Sequence, residues 1–382
     1  MLRPLAGPTM QTFVESDASI RIFLPIGAAR RGAMPRANLP RPSRERNCSP
    51  LRALTGGPYN DDVGAGDVAG SAPDVDGMLR LVADRAARRG GTGVGRVYLV
   101  GTGPGDPGLL TMRAVQLMRS ADVVLYDRLV SSDILQLVHP GARMVYVGKQ
   151  RGFHTRTQDQ IQELLEHFAD AGALVLRLKG GDPYVFGRGG EEMGFLRERG
   201  IAVHCVPGIT AASGISAELG IPLTHRGVAT SVRFLTGHSQ EGGREELDKT
   251  IAMSVDPMAT LVVYMGLQTL PNLTTMLVEG GQDPRTPSVA VERGTTSDQR
   301  VVFSHLEELP AATTDASLKS PTLIIIGQVV ALAPGWKSWI DTGVALQTGG
   351  NGSSNVLPTD YQDLLAPLDD VETETPADWE AH

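Results

Sequence analysis

The residues that could do chemistry sit in short glycine-rich turns, each following an apolar run. The first is Val100-Gly101-Thr102-Gly103-Pro104-Gly105-Asp106-Pro107-Gly108. Gly103, Gly105 and Gly108 spell G-x-G-x-x-G, and Asp127 follows near the spacing of a ribose-binding acid, which is the text of a dinucleotide site. Pro104 and Pro107 weaken that reading. They fix φ and remove N–H donors that a pyrophosphate cradle would use. The second turn is Leu178-Lys179-Gly180-Gly181-Asp182-Pro183, followed by Phe186-Gly187-Arg188-Gly189-Gly190-Glu191-Glu192. Asp182 either accepts from a ligand hydroxyl or ammonium group or starts the turn, and Arg188 is a candidate anion contact. So many glycines at one strand end point beyond folding alone. The third turn, Val206-Pro207-Gly208-Ile209-Thr210-Ala211-Ala212-Ser213-Gly214, permits close approach of a ligand or tight helix–sheet packing.

Three polar strand ends complete the set. Tyr126-Asp127-Arg128 sets an acid beside an Arg. Gly148-Lys149 has Arg151 and His154 just beyond, and Leu223-Thr224-His225-Arg226 adds another cation. Each alone also reads as a solvated loop charge.

The elements that must position these residues alternate from Arg96 onward. Strands are predicted at Arg96–Val100, Asp122–Tyr126, Met144–Val147, Leu174–Leu178 and Ala202–Val206. Helices are predicted at Leu109–Ser120, Gln158–Asp170 and Glu191–Arg199. Strands alternating with helices imply an α/β fold with a mostly parallel sheet. Beyond Ile221-Pro222 strand candidates crowd together at Ser231–Thr236, Thr260–Met265, Ser288–Val291, Arg300–Ser304 and Pro321–Ile326, with a helix at Thr269–Gly280. The reading is a second, partly antiparallel α/β subdomain, dividing residues 95–225 from 226–340. Ligands of open α/β sheets sit beyond the carboxyl ends of strands, where the turns above fall.

The 382 residues suffice for two or three domains. The net charge of −8 averages unlike parts. Residues 1–55 hold nine Arg, no Lys and only Glu15, Asp17 and Glu45 as acids. That composition matches an organelle transit peptide, here a plastid address. Residues 56–94 read mainly as a flexible linker, with a short helix around Met78–Arg89. Residues 341–382 read as a disordered acidic tail, with too little apolar surface to offset ordering entropy. The charge pattern does not call for nucleic acid. No apolar run reaches the roughly 18 residues that span a membrane. Cys48 and Cys205 stand far apart and support neither a disulfide framework nor a metal site.

Taken together, the segments resemble the uroporphyrinogen-III C-methyltransferase branch of the tetrapyrrole methylases. The carrying residues are Val100–Leu110, Tyr126–Ser131, Val147–Lys149, Leu178–Glu192, Val206–Gly214, Pro222–Arg226, Thr236–His238, Tyr264–Gly266 and Glu292–Thr295. The resemblance runs from about Arg96 to Leu332. It implies a two-domain tetrapyrrole methylase fold, S-adenosylmethionine in the inter-domain cleft, and a homodimer. Residue by residue, it implies a cofactor pocket of Pro104, Gly180, Gly181, Asp182, Val185, Thr210, Ala211, Met265 and Gly294. It makes Asp127 the proton acceptor and Lys149 the proton donor. The implied reaction puts two methyl groups on uroporphyrinogen III to give precorrin-2. An electron-rich pyrrole carbon needs no activated Ser, Cys or metal, only alignment and proton management. The substrate's eight carboxylates call for Arg near the cleft, and Arg128, Arg151, Arg188 and Arg226 are the candidates by position. A standalone methyltransferase is expected. The competing readings are a later corrin-pathway methylase or a protein- or RNA-modifying relative within the superfamily, a nicotinamide-dependent oxidoreductase, resting on the glycine text and Asp127, and a non-catalytic S-adenosylhomocysteine-binding protein.

Overall fold

The computed structural model describes residues 75–88, 93–148, 156–237, 249–251, 253–344 and 346–348. Helix α1 (Val75–Arg88) precedes five strands: β1 (Arg96–Gly101), β2 (Val123–Tyr126), β3 (Arg143–Tyr146), β4 (Leu174–Lys179) and β5 (Ala202–Val206). They form one sheet in the order β3-β2-β4-β1-β5, with every pairing parallel. Helices α2 (Met112–Ser120), α3 (Ser132–Leu135), α4 (Gln158–Asp170) and α5 (Gly189–Glu198) connect the strands, and α6 (Ala211–Glu218) follows β5.

Apolar clusters lie on both faces of this sheet, which is why its strands read as nearly unbroken apolar runs. Helix α4 shows how sequence fixes one layer. Ile161, Leu164, Leu165 and Phe168 recur at helical spacing and are buried. Thr157 and Gln160 close a capping box at its start. Fully burying each such side chain contributes about 1.5–3 kcal/mol.

The second sheet has the order β11-β9-β8-β10-β7-β6. Its strands are β6 (Ser231–Thr236), β7 (Ala259–Tyr264), β8 (Pro287–Glu292), β9 (Arg300–His305), β10 (Thr322–Ile326) and β11 (Leu346–Thr348). Only the β6–β7 pairing is parallel, matching the mixed character expected. Helices α7 (Leu270–Glu279), α8 (Leu309–Asp315) and α9 (Pro334–Thr342) complete it.

Three readings change. The predicted helix Leu109–Ser120 is two pieces, because Pro107–Leu109 forms a 3-10 turn and Thr111 then caps α2 by accepting from the Ala114 N–H. The stretch 56–94 carries the short helix expected around Met78–Arg89, observed as α1, and what changes is that its Met78 and Val82 join the first core instead of belonging to a linker. The tail read as disordered from 341 includes the end of α9 and β11, which pairs antiparallel with β9. The transit reading over 1–55 lies outside the described residues.

The chain leaves β1 toward β2 and leaves neighbouring β4 in the opposite direction, toward β5. That reversal opens a crevice beyond the carboxyl ends of β1 and β4.

Candidate active site

The three glycine turns meet in this crevice. Gly103 donates its N–H to the Gly181 carbonyl at 3.2 Å, and Gly181 donates back to Gly103 at 2.7 Å. The Asp182 carboxylate accepts from the Tyr184 N–H at 2.8 Å and the Gly208 N–H at 3.1 Å, tying the second turn to the third. The turn-starting reading of Asp182 thus describes its hydrogen bonds.

Much of the glycine content follows from backbone packing. A Cβ at Gly208 would lie 2.2 Å from the Gly181 oxygen, one at Gly101 2.5 Å from the Gly208 nitrogen, and one at Gly189 2.5 Å from the Pro183 oxygen. The expectation that folding alone cannot explain the glycines of the second turn is corrected at Gly189, while Gly208 follows the tight-packing alternative read for the third turn. Gly181 differs: its φ is +70°, and a Cβ there would meet nothing closer than the Ala211 nitrogen at 3.9 Å. A space therefore opens beside Gly181, toward Thr210 and Ala211. The first turn does not offer a pyrophosphate cradle, since Asp106 already accepts from the Gly108 N–H at 2.7 Å and both prolines stand in it.

The second sheet closes the site from the other side. Tyr264, at the end of β7, shares a 2.6 Å hydrogen bond with the Thr210 hydroxyl and accepts from the Ala212 N–H at 3.1 Å. Burial pushes the Tyr264 phenol up, and its hydrogen bonds at α6 pull it partly back. The Asp106 N–H donates to the Thr295 hydroxyl at 3.3 Å. Gly294 packs so closely on α6 that a Cβ would lie 2.4 Å from the Ile215 side chain. Met265 is 55% exposed at φ +54°, and Phe186, Phe234, Leu129 and Ile209 are exposed as well. Exposed apolar side chains gathered at one crevice mark a surface that a ligand covers. Pro104, half-buried, packs against Gly214, and Val185 is half-buried in the second turn.

Asp127 lies at the end of β2, half-buried. Its Oδ1 accepts from the Leu129 N–H at 2.9 Å and its Oδ2 from Arg177 Nη2 at 3.0 Å. Arg128 is exposed beside it, and Arg226 is exposed near the start of β6. Arg188 is also exposed and pairs with Glu191 through Nε–Oε1 at 3.0 Å. Lys149 and Arg151 lie outside the described residues.

Sequence reasoning passed over the charges beneath Asp127. Arg177 and Lys179 alternate on β4 and are each 4% exposed, while Glu192 on α5 is fully buried. Lys179 Nζ donates to Glu192 Oε1 at 3.0 Å, and Arg177 Nε lies 3.5 Å from the same oxygen. Burial and then Arg177 push the Lys179 amine down, while Glu192 pulls it up. Removing one partner of such a buried set costs about 3–5 kcal/mol. Two cations in a strand buried on both faces, with Glu192 downstream, were the available signal.

The fold and site define an α/β protein with a ligand crevice at the carboxyl ends of parallel strands, closed by a second sheet. The sequence profile described as Tetrapyrrole (Corrin/Porphyrin) Methylases matches residues 96–310, and the chain belongs to that family. It is 58% identical over 284 residues to the S-adenosyl-L-methionine-dependent uroporphyrinogen III methyltransferase, chloroplastic, of Arabidopsis thaliana, covering 73% of this chain and 77% of that one. It is 50% identical over 263 residues to the siroheme synthase of Methylococcus capsulatus, covering 69% of this chain but only 55% of that protein. The chain thus spans about half the length of the siroheme synthases it matches. Among solved structures, it resembles the Uroporphyrin-III C-methyl transferase of Thermus thermophilus complexed with S-adenosyl homocysteine. The identity is 43% and the TM-score 0.53, over 62% of this chain and 94% of that one.

Proposed function

We propose that this chain is an S-adenosylmethionine-dependent methyltransferase that C-methylates uroporphyrinogen III at C2 and C7, giving precorrin-2 for sirohaem or corrinoid synthesis. The observation that carries this reading is the likeness to the chloroplastic methyltransferase, which runs through the described crevice. The space beside Gly181 and the apolar rim fit a nucleoside and a short sulfur-bearing chain, a sulfonium in S-adenosylmethionine and a thioether in its product. S-adenosylmethionine supplies the transferred methyl group.

Pro104, Gly180, Gly181, Asp182, Val185, Thr210, Ala211, Met265 and Gly294 form the cofactor pocket. Asp127 accepts a proton and Lys149 donates one. Arg128, Arg151, Arg188 and Arg226 bind the substrate carboxylates, with Arg188 exchanging its Glu191 partner for substrate. The subdomains divide near residue 225, two copies form a dimer, and residues 1–55 direct the chain to a plastid. Among the described residues no helix is long and apolar enough to cross a membrane.

Ligand protection tests the cofactor. S-adenosylhomocysteine is expected to raise Tm, by mass action on the folded state, and NAD is not. Protection by NAD alone would reverse the assignment. Fluorescent fusion of the first sixty residues tests the address, and a cytosolic signal would refute it.

A further inference from the structure

We propose that Glu192 is a positioning residue that fixes the Asp127 carboxylate by bracing Arg177. The proposal rests on the methyltransferase reading, which gives Asp127 its proton to accept. Glu192 touches neither ligand space nor Asp127. Its Oε1 collects Lys179 Nζ at 3.0 Å, Gln158 Nε2 at 3.0 Å and Arg177 Nε at 3.5 Å. Arg177 Nη1 donates to the Leu178 carbonyl at 2.8 Å, and Nη2 reaches Asp127 Oδ2 at 3.0 Å. Arg177 Nε makes no hydrogen bond among the described residues, so Glu192 holds the guanidinium as an ion-pair partner. With Nη1 fixed on the Leu178 carbonyl, the planar, rigid group then sets the direction of Nη2. Asp127 Oδ1 is held by the Leu129 N–H, so both carboxylate oxygens are oriented before substrate arrives.

Packing alone is a poor account of this carboxylate. An apolar residue between α5 and β4 would fill the space but leave Lys179 and Arg177 as buried cations short of a counter-ion. Charge neutralisation therefore also calls for a carboxylate here, and the variants below separate that role from bracing. Glu192 is 0% exposed, its Oε1 is compensated by Lys179, Gln158 and Arg177, and its Oε2 is buried with no hydrogen-bond partner among the described residues. The four charges balance, Arg177 and Lys179 against Asp127 and Glu192. That balance allows bracing and stability to be separated by mutation.

The test uses the full chain and measures kcat, the KM of each substrate, S-adenosylhomocysteine Kd and Tm. Glu192→Gln is expected to lower kcat at least tenfold, with S-adenosylmethionine KM and S-adenosylhomocysteine Kd within twofold of wild type. That split removes an interaction acting on the chemical step rather than on cofactor binding. Glu192→Gln also strips one charge from a buried set and lowers Tm. The double variant Glu192→Gln/Lys179→Met removes one anion and one cation, so Tm recovers while kcat stays low. In an Asp127→Asn background, Glu192→Gln adds less than a twofold further loss, because the group it acts through is gone. Wild-type kcat in Glu192→Gln, kcat recovering together with Tm in the double variant, or losses that multiply with Asp127→Asn would each overturn the proposal. A wild-type chain that transfers no methyl group would overturn the functional reading, and this proposal with it. Wild-type turnover beside an unaffected Glu192→Gln would remove this proposal alone.

Discussion

Gly103 and Gly181 hold the carboxyl ends of β1 and β4 together by a reciprocal pair of backbone hydrogen bonds, 3.2 and 2.7 Å long. The pair brings the first two glycine turns into one crevice, and Gly208 packs against it from the third. A Cβ at Gly208 would sit 2.2 Å from the Gly181 oxygen, so Gly208→Ala must displace backbone. We expect a loss of about 1–3 kcal/mol, as for other overpacked sites, and weaker S-adenosylhomocysteine binding. Gly181→Ala has room for its methyl and meets mainly the left-handed backbone penalty, about 1–2 kcal/mol. Denaturant unfolding with ligand titration checks both, and an unperturbed Gly208→Ala would contradict the packing described.

Tyr264 joins β7 to the start of α6. Tyr264→Phe removes hydrogen bonds to Thr210 and the Ala212 N–H, and we expect about 1–2 kcal/mol less stability. The pH dependence follows from the raised phenol. Its contribution is intact below the usual tyrosine value of about 10 and is lost as pH rises through the higher folded value. Wild-type unfolding free energy should therefore fall above about pH 10, and Tyr264→Phe should flatten that part of the curve. An identical alkaline profile in both chains would refute the assignment.

Helix α1 belongs to the folded unit. Met78 is 9% exposed within the first core cluster, so Met78→Ala should destabilise by about 2–3 kcal/mol. Removing residues 1–90 should lower Tm further. Thermal unfolding of both checks this, and unchanged Tm would return the segment to linker status.

Arg226 is exposed near the start of β6 and is proposed to hold substrate carboxylate. Arg226→Ala should raise the uroporphyrinogen III KM about tenfold, as for a lost charged contact, and leave that of S-adenosylmethionine unchanged. Initial-rate kinetics decide this, and equal KM values would exclude the residue. Arg188→Ala is a less clean test, because it also frees Glu191.

Gln158–Asp170 matches the observed bounds because burial repeats at helical spacing behind a capping box. Ala202–Val206 and Ser231–Thr236 also match, although their burial shows no fixed period, because short β-branched runs are bounded by turns. β11 was not legible, since three residues gain their strand character only by pairing with β9. At the site, Asp127 and the three turns stood out as unusual residues at strand ends. Arg177, Lys179 and Glu192 did not, because their roles depend on one another across β4 and α5. The glycines misled in part: the sequence shows that a Cβ is missing but not whether backbone or a ligand occupies its place.

Methyl transfer to uroporphyrinogen III is decided by counting the methyl groups that reach the macrocycle. The full chain is incubated anaerobically with uroporphyrinogen III and S-adenosylmethionine, and the macrocycle is weighed by mass spectrometry. Two added methyl groups per macrocycle are expected, none without S-adenosylmethionine, and far fewer with Asp127→Asn. An unmodified macrocycle beside a chain that still binds S-adenosylhomocysteine would contradict this reaction and assign the crevice to another substrate.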